Sequence, residues 1–151
     1  MITSNQIQIA APFDTLFQIA ADIAHWPDIL PHYRWVKILN RQGQQVIAEM
    51  AARHKGIPLW WKTIQTRDPD ERRIHFTHIG GITKGMEVDW IMEEASPPGA
   101  CPVWHVQIVH DFHPHWPPGG RWFAEKIIGD MFVHQVAGKT LKRMKELLEA
   151  T

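Results

Sequence analysis

Alternating apolar and polar positions run through most of the chain and predict β-strands. In NQIQIAAP, Ile7 and Ile9 share one face and Gln6 and Gln8 the other, as in a half-buried strand. The same period of two recurs in six later segments that are bounded by turn residues. These segments are RWVKILNR, QQVIAEMAARH, IPLWWKTIQTR, RRIHFTHI, GMEVDWIMEE and VWHVQIVHDF. Because short turns join consecutive segments, we expect an antiparallel meander.

Helical spacing of apolar residues is found near both ends of the chain. It predicts a first helix over residues 12–23, with Pro12 suited to the first position. In the next stretch, HWPDILPHY, Pro27 and Pro31 leave room for one further turn. Residues 121–150 read as one long helix with a wide apolar stripe. The order of elements indicates an α+β domain whose last helix covers a curled sheet, and a gap between them would be an apolar pocket.

Length, charge and cysteine content exclude several classes of protein. A chain of 151 residues is expected to form one domain, residues 1–151. Its 16 basic and 16 acidic residues give no electrostatic signature for nucleic acid. Cys101 is the only cysteine, so no disulfide can form within the chain. No apolar run is long enough for a membrane span, and the N-terminus lacks a basic leader, so we predict a cytoplasmic protein without stable membrane insertion.

Tryptophan is the unusual feature of the composition. The chain has eight Trp and one Tyr. Bulk filling of the core is the simpler explanation, because each indole brings a large apolar area with one polar N–H. The alternative is a cavity lined for a flat or hydrophobic ligand, but composition alone favours the filling of the core.

The opening of the chain resembles a known family. IQIAAPFDTLFQIAADIAHWPDILPHYRWVKIL resembles the start of polyketide cyclase/dehydrase (aromatase/cyclase) domains, a branch of the START-like (SRPBCC) superfamily. The likeness continues in WWKTIQTRDPDERRIHF, which matches the family's Trp-rich strand, acidic turn and next strand. The resemblance implies a helix-grip fold: a curled antiparallel sheet of about seven strands around a long C-terminal helix, with two short helices after the first strand. It also implies that the proline-bracketed corner shapes one end of an internal cavity.

Alternation, with the family placing Trp61 inward, predicts which side chains line that cavity. Trp26 would close one end, and the last helix would contribute its apolar stripe. The predicted lining residues are Trp26, Trp61, Phe76, His78, Met86, Trp90, Trp104, Phe112, Met131, His134 and Gly138. A lone inward His is more often a hydrogen-bonded core residue than a catalyst, so the simpler explanation stays open for each of them.

Five inward polar residues are candidates for chemistry: Tyr33, Thr63, Gln65, Arg67 and His110. Aldol closure needs removal of a proton next to a carbonyl and stabilisation of the enolate oxygen. Aromatic-cyclase members carry a Ser and an Arg after the strand Trp, and the resemblance places Thr63 and Gln65 at these positions. Thr keeps the hydroxyl but Gln lacks the charge, so aromatase activity would require Arg67 as the cation.

The segment HDFHPHW contains residue types that bind zinc, namely His110, Asp111, His113 and His115. Residues 110 and 113 of a strand point to opposite faces, and Pro114 stiffens the approach of the last His. We therefore predict no metal, and no cofactor motif is present in the sequence.

Three hypotheses for function remain open. The first is a polyketide cyclase/dehydrase-like enzyme, the second a lipid or quinone carrier without chemistry, and the third an interaction protein similar to chaperone activators of the same fold. The first two require a hydrophobic small molecule (a polyketide, a quinone or a lipid) as partner. Either a monomer or a homodimer is compatible with the sequence.

Overall fold

The computed structural model describes residues 2–54, 56–81, 83–112 and 136–150. It contains seven strands, three α-helices and one 3₁₀ turn among these residues. Their bounds are β1 Ile2–Ala10, α1 Phe13–Ala21, the 3₁₀ turn Ile23–His25, α2 Trp26–Ile29, β2 Tyr33–Gln42, β3 Gln45–His54, β4 Ile57–Asp68, β5 Arg73–Gly81, β6 Glu87–Glu94, β7 Val103–Asp111 and α3 Gly138–Glu149.

All seven strands form one antiparallel sheet in the order β1-β7-β6-β5-β4-β3-β2. Strands β2 to β7 follow one another as a meander, and β1 joins the far edge beside β7. The predicted α+β helix-grip arrangement with about seven strands is confirmed.

The helix boundaries differ in part from the prediction. Helix α1 ends at Ala21 rather than at residue 23, because Asp22 leaves the helical region with φ −84° and ψ 71°. The chain then makes a 3₁₀ turn before α2, in which Pro27 stands in the first turn, where a missing N–H costs nothing. Of the long helix predicted over residues 121–150, the described part is α3, and residues 121–135 lie outside the described residues.

The proline-bracketed corner places Trp26 in the core. Its indole N–H donates to the carbonyl of Ile19 at 3.2 Å, so the polar end of the ring is satisfied. The ring lies 5.3 Å from that of Tyr33, 6.1 Å from Phe76 and 5.8 Å from Trp90. The corner therefore packs the Trp26 ring against aromatic side chains on the concave face of the sheet.

A β-bulge curls the sheet between β4 and β5. The register shifts between Lys62 and Thr63, which lie opposite Gly80 and His78. Gly81 follows with φ +87°, and a Cβ there would stand 2.3 Å from the carbonyl oxygen of Trp60. Only glycine fits this close approach, so the curl next to His78 is fixed by the sequence.

Helix α3 packs across the concave side through Leu141, Met144 and Leu148. Its long cations fasten it to the other elements. Lys145 Nζ donates to the carbonyl of Gln8 in β1 at 2.6 Å, and Arg143 Nε donates to the carbonyl of Ile29 in α2 at 3.3 Å.

Candidate functional site

An apolar cavity lies between the concave face of the sheet, the Trp26 corner and the start of α3. Its volume is about 40 Å³. The described lining consists of Trp26, Tyr33, Met50, Trp61, Phe76, His78, Val88, Trp90, Ile108, His110, Val136, Ala137 and Thr140. A cavity of this size holds a few water molecules, whereas benzene occupies an engineered cavity of about 150 Å³. A ring-sized ligand must therefore displace part of this wall.

Strand register places the cavity at one end of the sheet. Met50 lies opposite Trp61, Phe76 opposite Val88, and Val88 opposite His110. These positions alternate with outward-facing ones, so each strand contributes side chains to the same concave patch. The cavity is thus built from neighbouring cross-strand pairs.

His78 is held rigidly at the wall. Its ring is stacked on Trp61, with centroids 5.8 Å apart and planes 5° from parallel. Its Nδ1 is hydrogen-bonded to the hydroxyl of buried Thr83 at 2.6 Å. Burial, together with the smaller effect of the neighbouring His110, lowers the pKa of His78 to about 3. His78 is accordingly a neutral imidazole near pH 7.

His110 and Tyr33 are the other titratable side chains of the cavity among the described residues. Burial lowers the pKa of His110 to about 4, so this imidazole is also neutral near pH 7. Burial raises the pKa of the Tyr33 phenol above its ordinary value, which keeps its proton in place. The cavity therefore combines two neutral imidazoles, which can accept a proton, with a phenol that can donate a hydrogen bond.

Thr140 brings α3 into the site. Its hydroxyl donates to the carbonyl of Val136 at 2.7 Å and is hydrogen-bonded to Nε2 of His32 at 2.9 Å. Because the hydroxyl proton is committed to Val136, His32 must donate from Nε2 to the Thr140 oxygen. Burial, together with the charge of Lys139, lowers the pKa of His32 to about 4, which is consistent with a neutral ring.

The structure brings seven of the predicted site residues together at the cavity. They are the lining residues Trp26, Trp61, Phe76, His78 and Trp90 and the candidates for chemistry Tyr33 and His110. Met131 and His134 lie outside the described residues, as do His113 and His115 of the zinc-type cluster. No group of three or more His, Cys, Asp or Glu that could hold a metal is present among the residues that the structure describes.

Gln65 and Arg67 face inward, but their side chains form hydrogen bonds with the C-terminal end of helix α1 rather than lining the cavity. Gln65 Nε2 and an Arg67 guanidinium nitrogen each donate to the carbonyl of Ala21 at 3.0 Å. Arg67 Nε also donates to Gln65 Oε1 at 3.0 Å. The pair satisfies the last carbonyl of α1, away from the described cavity lining. Thr63, which is fully buried, donates to the carbonyl of Thr77 at 3.2 Å.

Four further residues that were predicted to line the cavity are not part of its described lining. Trp104 stands at the opposite end of β7, where its ring is 5.0 Å from that of Phe13 and Arg72 lies over it. Met86 and Phe112 are buried at the ends of their strands. Gly138 is half-buried, and α3 turns its neighbours Ala137 and Thr140 toward the cavity instead. Trp104, Met86 and Phe112 are all buried, but alternation does not say how far along a strand the cavity extends.

Six residues of the described lining were not among the site residues predicted from the sequence, and neither was His32 behind the wall. The six are Met50, Val88, Ile108, Val136, Ala137 and Thr140. Val88 and Ile108 share the inward faces of their strands, so alternation carried a signal for them. Thr140 and His32 are 108 positions apart. Their pairing depends on how α3 crosses the corner, for which the sequence holds no local signal.

Comparisons with known proteins identify the family of the chain. The model of a family described as "Polyketide cyclase / dehydrase and lipid transport" matches residues 9–145. The chain belongs to this family. A family relative from Streptomyces halstedii, provisionally named a polyketide cyclase, is 27% identical over 106 residues, which is 68% of this chain and 95% of the relative. A second, from Streptomyces cyaneus and named in the same way, is 26% identical over 105 residues and 68% of either chain.

Solved structures show the same fold. The Zhui aromatase/cyclase from Streptomyces sp. R1128 superposes with a TM-score of 0.83 at 18% identity, covering 99% of this chain and 93% of that one. A START superfamily protein from Mycobacterium smegmatis superposes with a TM-score of 0.68 at 17% identity, covering 99% and 97%. Within the described part of the chain, no helix is long and apolar enough to cross a membrane.

Proposed function

We propose that the protein binds a hydrophobic, ring-forming small molecule in this cavity and promotes its aldol-type cyclisation and dehydration. The observation that carries the proposal is the convergence of Tyr33, His78 and His110 on an otherwise apolar cavity. A carrier needs only apolar walls, whereas neutral imidazoles beside a protonated phenol are the groups that enolate chemistry uses. Family membership supports the same reaction class.

In the proposed reaction a poly-β-ketone lies with one carbonyl oxygen on the Tyr33 hydroxyl. His110 or His78 removes a proton from the adjacent carbon, and Tyr33 stabilises the enolate oxygen by its hydrogen bond. The enolate carbon attacks a second carbonyl of the same chain and forms the new carbon–carbon bond. The imidazolium returns its proton to the resulting alkoxide, and loss of water from the aldol yields the unsaturated ring.

A carrier without chemistry is the second candidate. The observation favouring it is the use of Gln65 and Arg67 at the end of α1. This arrangement leaves the cavity without a cation in its described lining. The enolate charge would then be balanced by Tyr33 alone, and cyclisation would be slow.

The test is conversion of a linear poly-β-ketone thioester to cyclised products, followed by liquid chromatography with mass detection. Tyr33→Phe and His110→Asn are each expected to lower the rate by about 100-fold or more, as loss of an oxyanion donor or a general base does. His105→Asn is the matched control, since it lies on the same strand but outside the cavity lining. Substrate binding without cyclisation by the unmodified protein would establish the carrier instead.

A further inference from the structure

A second concave surface lies on the other side of His32 from the cavity. We call it the basic groove, and its volume is about 500 Å³. It is lined by Pro31, His32, Arg53, Gly56, Lys139, Lys142, Arg143 and Glu146. The helical members fall at positions 139, 142, 143 and 146, so they form one face of α3.

The groove is strongly positive although the chain as a whole has no net charge. Four cations and one carboxylate line it. Arg143 is already engaged, because it donates to the carbonyl of Ile29 and pairs with Glu146 at 3.3 Å. Arg53, Lys139 and Lys142 are exposed and form no ion pair within the described parts of the chain. Three uncompensated cations around one concavity attract an anion.

His32 and Thr140 connect the wall of the groove to the wall of the cavity. His32 lines the groove, and its hydrogen bond to Thr140 reaches a residue that lines the cavity. The ring of His32 also lies 4.9 Å from that of Tyr33, the hydrogen-bond donor of the cavity. A rotation of His32 that breaks its hydrogen bond to Thr140 would therefore change the wall of the groove and the environment of Tyr33 together. The cavity alone, at about 40 Å³, is too small for an aromatic ring. A ring-containing ligand would therefore also occupy space beyond the cavity wall, and the groove lies next to that wall.

We propose that the basic groove binds the anionic end, a carboxylate or a phosphate, of the ligand whose hydrophobic part occupies the cavity. Arg53, Lys139 and Lys142 supply the charge, and rotation of His32 opens the path to Tyr33. This inference rests on the proposed function in one respect, namely that the cavity takes a hydrophobic ligand. It names the substrate class more closely as an amphiphilic anion.

Three naphthalene probes test the proposal by calorimetric titration of the full chain. 2-Naphthol is neutral, 2-naphthoate carries a carboxylate, and 2-naphthyl phosphate carries a phosphate. The groove variant is Lys139→Glu with Lys142→Glu. The control variant is Lys37→Glu with Lys84→Glu, two exposed lysines outside the groove lining that change the net charge equally.

Both anions are expected to bind the unmodified protein more tightly than 2-naphthol. The groove variant should weaken anion binding about tenfold or more, as loss of charge-assisted hydrogen bonds does, and leave 2-naphthol unchanged. The control variant should leave the affinities for all three probes within about twofold, because its charges are distant and screened. The tighter of the two anions identifies whether carboxylate or phosphate is the better match.

Equal weakening of anion binding by both variants, or no preference for anions, would overturn the proposal. The failure of the cavity assignment has a different signature. In that case 2-naphthol would not bind, while the anions would still bind in a way that depends on Lys139 and Lys142.

Discussion

Two histidines of strand β5 show how the faces of the sheet differ. His75 lies on the outer face, hydrogen-bonded through Nδ1 to Asp89 at 2.7 Å and through Nε2 to Glu87. His78 lies three residues further on the concave face, stacked on Trp61 and bonded to Thr83. The first is partly exposed between two carboxylates, and the second is buried at the cavity wall.

The same side chain therefore has opposite charge preferences on the two faces. Partial burial works against the charged form of His75, but the hydrogen bonds and charges of Asp89 and Glu87 outweigh it and raise its pKa. Burial without a carboxylate lowers the pKa of His78 to about 3. The outer face therefore favours the protonated imidazole and the inner face the neutral one.

The largest test of this contrast uses two adjacent tryptophans of β4. Trp61 is 2% exposed at the cavity, and Trp60 is 41% exposed on the outer face. We expect Trp61→Ala to lower the free energy of unfolding by about 3–5 kcal/mol, because it removes a buried indole. Trp60→Ala should cost about 1 kcal/mol or less. Urea denaturation measures both, and equal losses would show that the two faces are not distinguished as the structure has them.

Acid stability is the second test. His78 and His110 have folded-state pKa values of about 3 and 4, below the ordinary value near 6.5 that the unfolded chain retains. The unfolded chain therefore takes up protons first, so stability should fall as the pH drops from about 6.5 toward 4. Each group contributes at most about 1.4 kcal/mol per pH unit.

Thermal or urea unfolding across this range measures the acid limb, that is, the fall of the unfolding free energy with decreasing pH. We expect this fall to be shallower for His110→Asn than for the unmodified protein. If the acid limb of this variant were unchanged, the pKa of His110 would not be lowered in the folded protein, contrary to the expected burial effect.

Gln65 tests which inward polar residues serve the fold rather than the cavity. Gln65→Leu removes the amide that bonds Ala21 and Arg67, so we expect a loss of about 1–3 kcal/mol in unfolding free energy. Binding of 2-naphthol by the folded fraction should be unchanged. A stable variant with weakened binding would place Gln65 in the site after all.

The smallest effect is expected at His75. Its folded-state pKa is raised, so its ion pairs stabilise the fold below the ordinary pKa near 6.5 and are lost as the pH rises through the folded value. Because the partners are partly exposed, His75→Gln should cost about 1 kcal/mol or less at pH 5 and still less at pH 8. A greater loss at pH 8 than at pH 5 would contradict the charge assigned to His75.

Much of the fold could be predicted from local pattern. Alternation placed His78 and Trp90 on the inner face, since period two is a property of the strand itself, and the order of elements indicated the sheet and its covering helix. The family resemblance added the inward direction of Trp61 and the helix-grip arrangement. The position of Trp104 shows the limit, because a strand longer than the cavity carries inward residues that never reach it.

The site needed long-range information. Gln65 and Arg67 had the right face for chemistry, but the open carbonyl at the end of α1, more than 40 positions away, engages them. His32 and Thr140 meet only because α3 crosses the corner. The basic groove could not be predicted from the composition either, because the chain has no net charge and the cations gather only when α3 packs beside Arg53.

The proposed chemistry depends on the cavity imidazoles, His78 and His110, being uncharged in the folded protein near neutral pH. Nitrogen-15 NMR of the histidine rings at about pH 5.5 measures this directly, with His75→Gln, His78→Gln and His110→Asn used to assign the signals. We expect neutral rings for His78 and His110 and a doubly protonated ring for His75. Doubly protonated rings at His78 and His110 under these conditions would contradict this expectation.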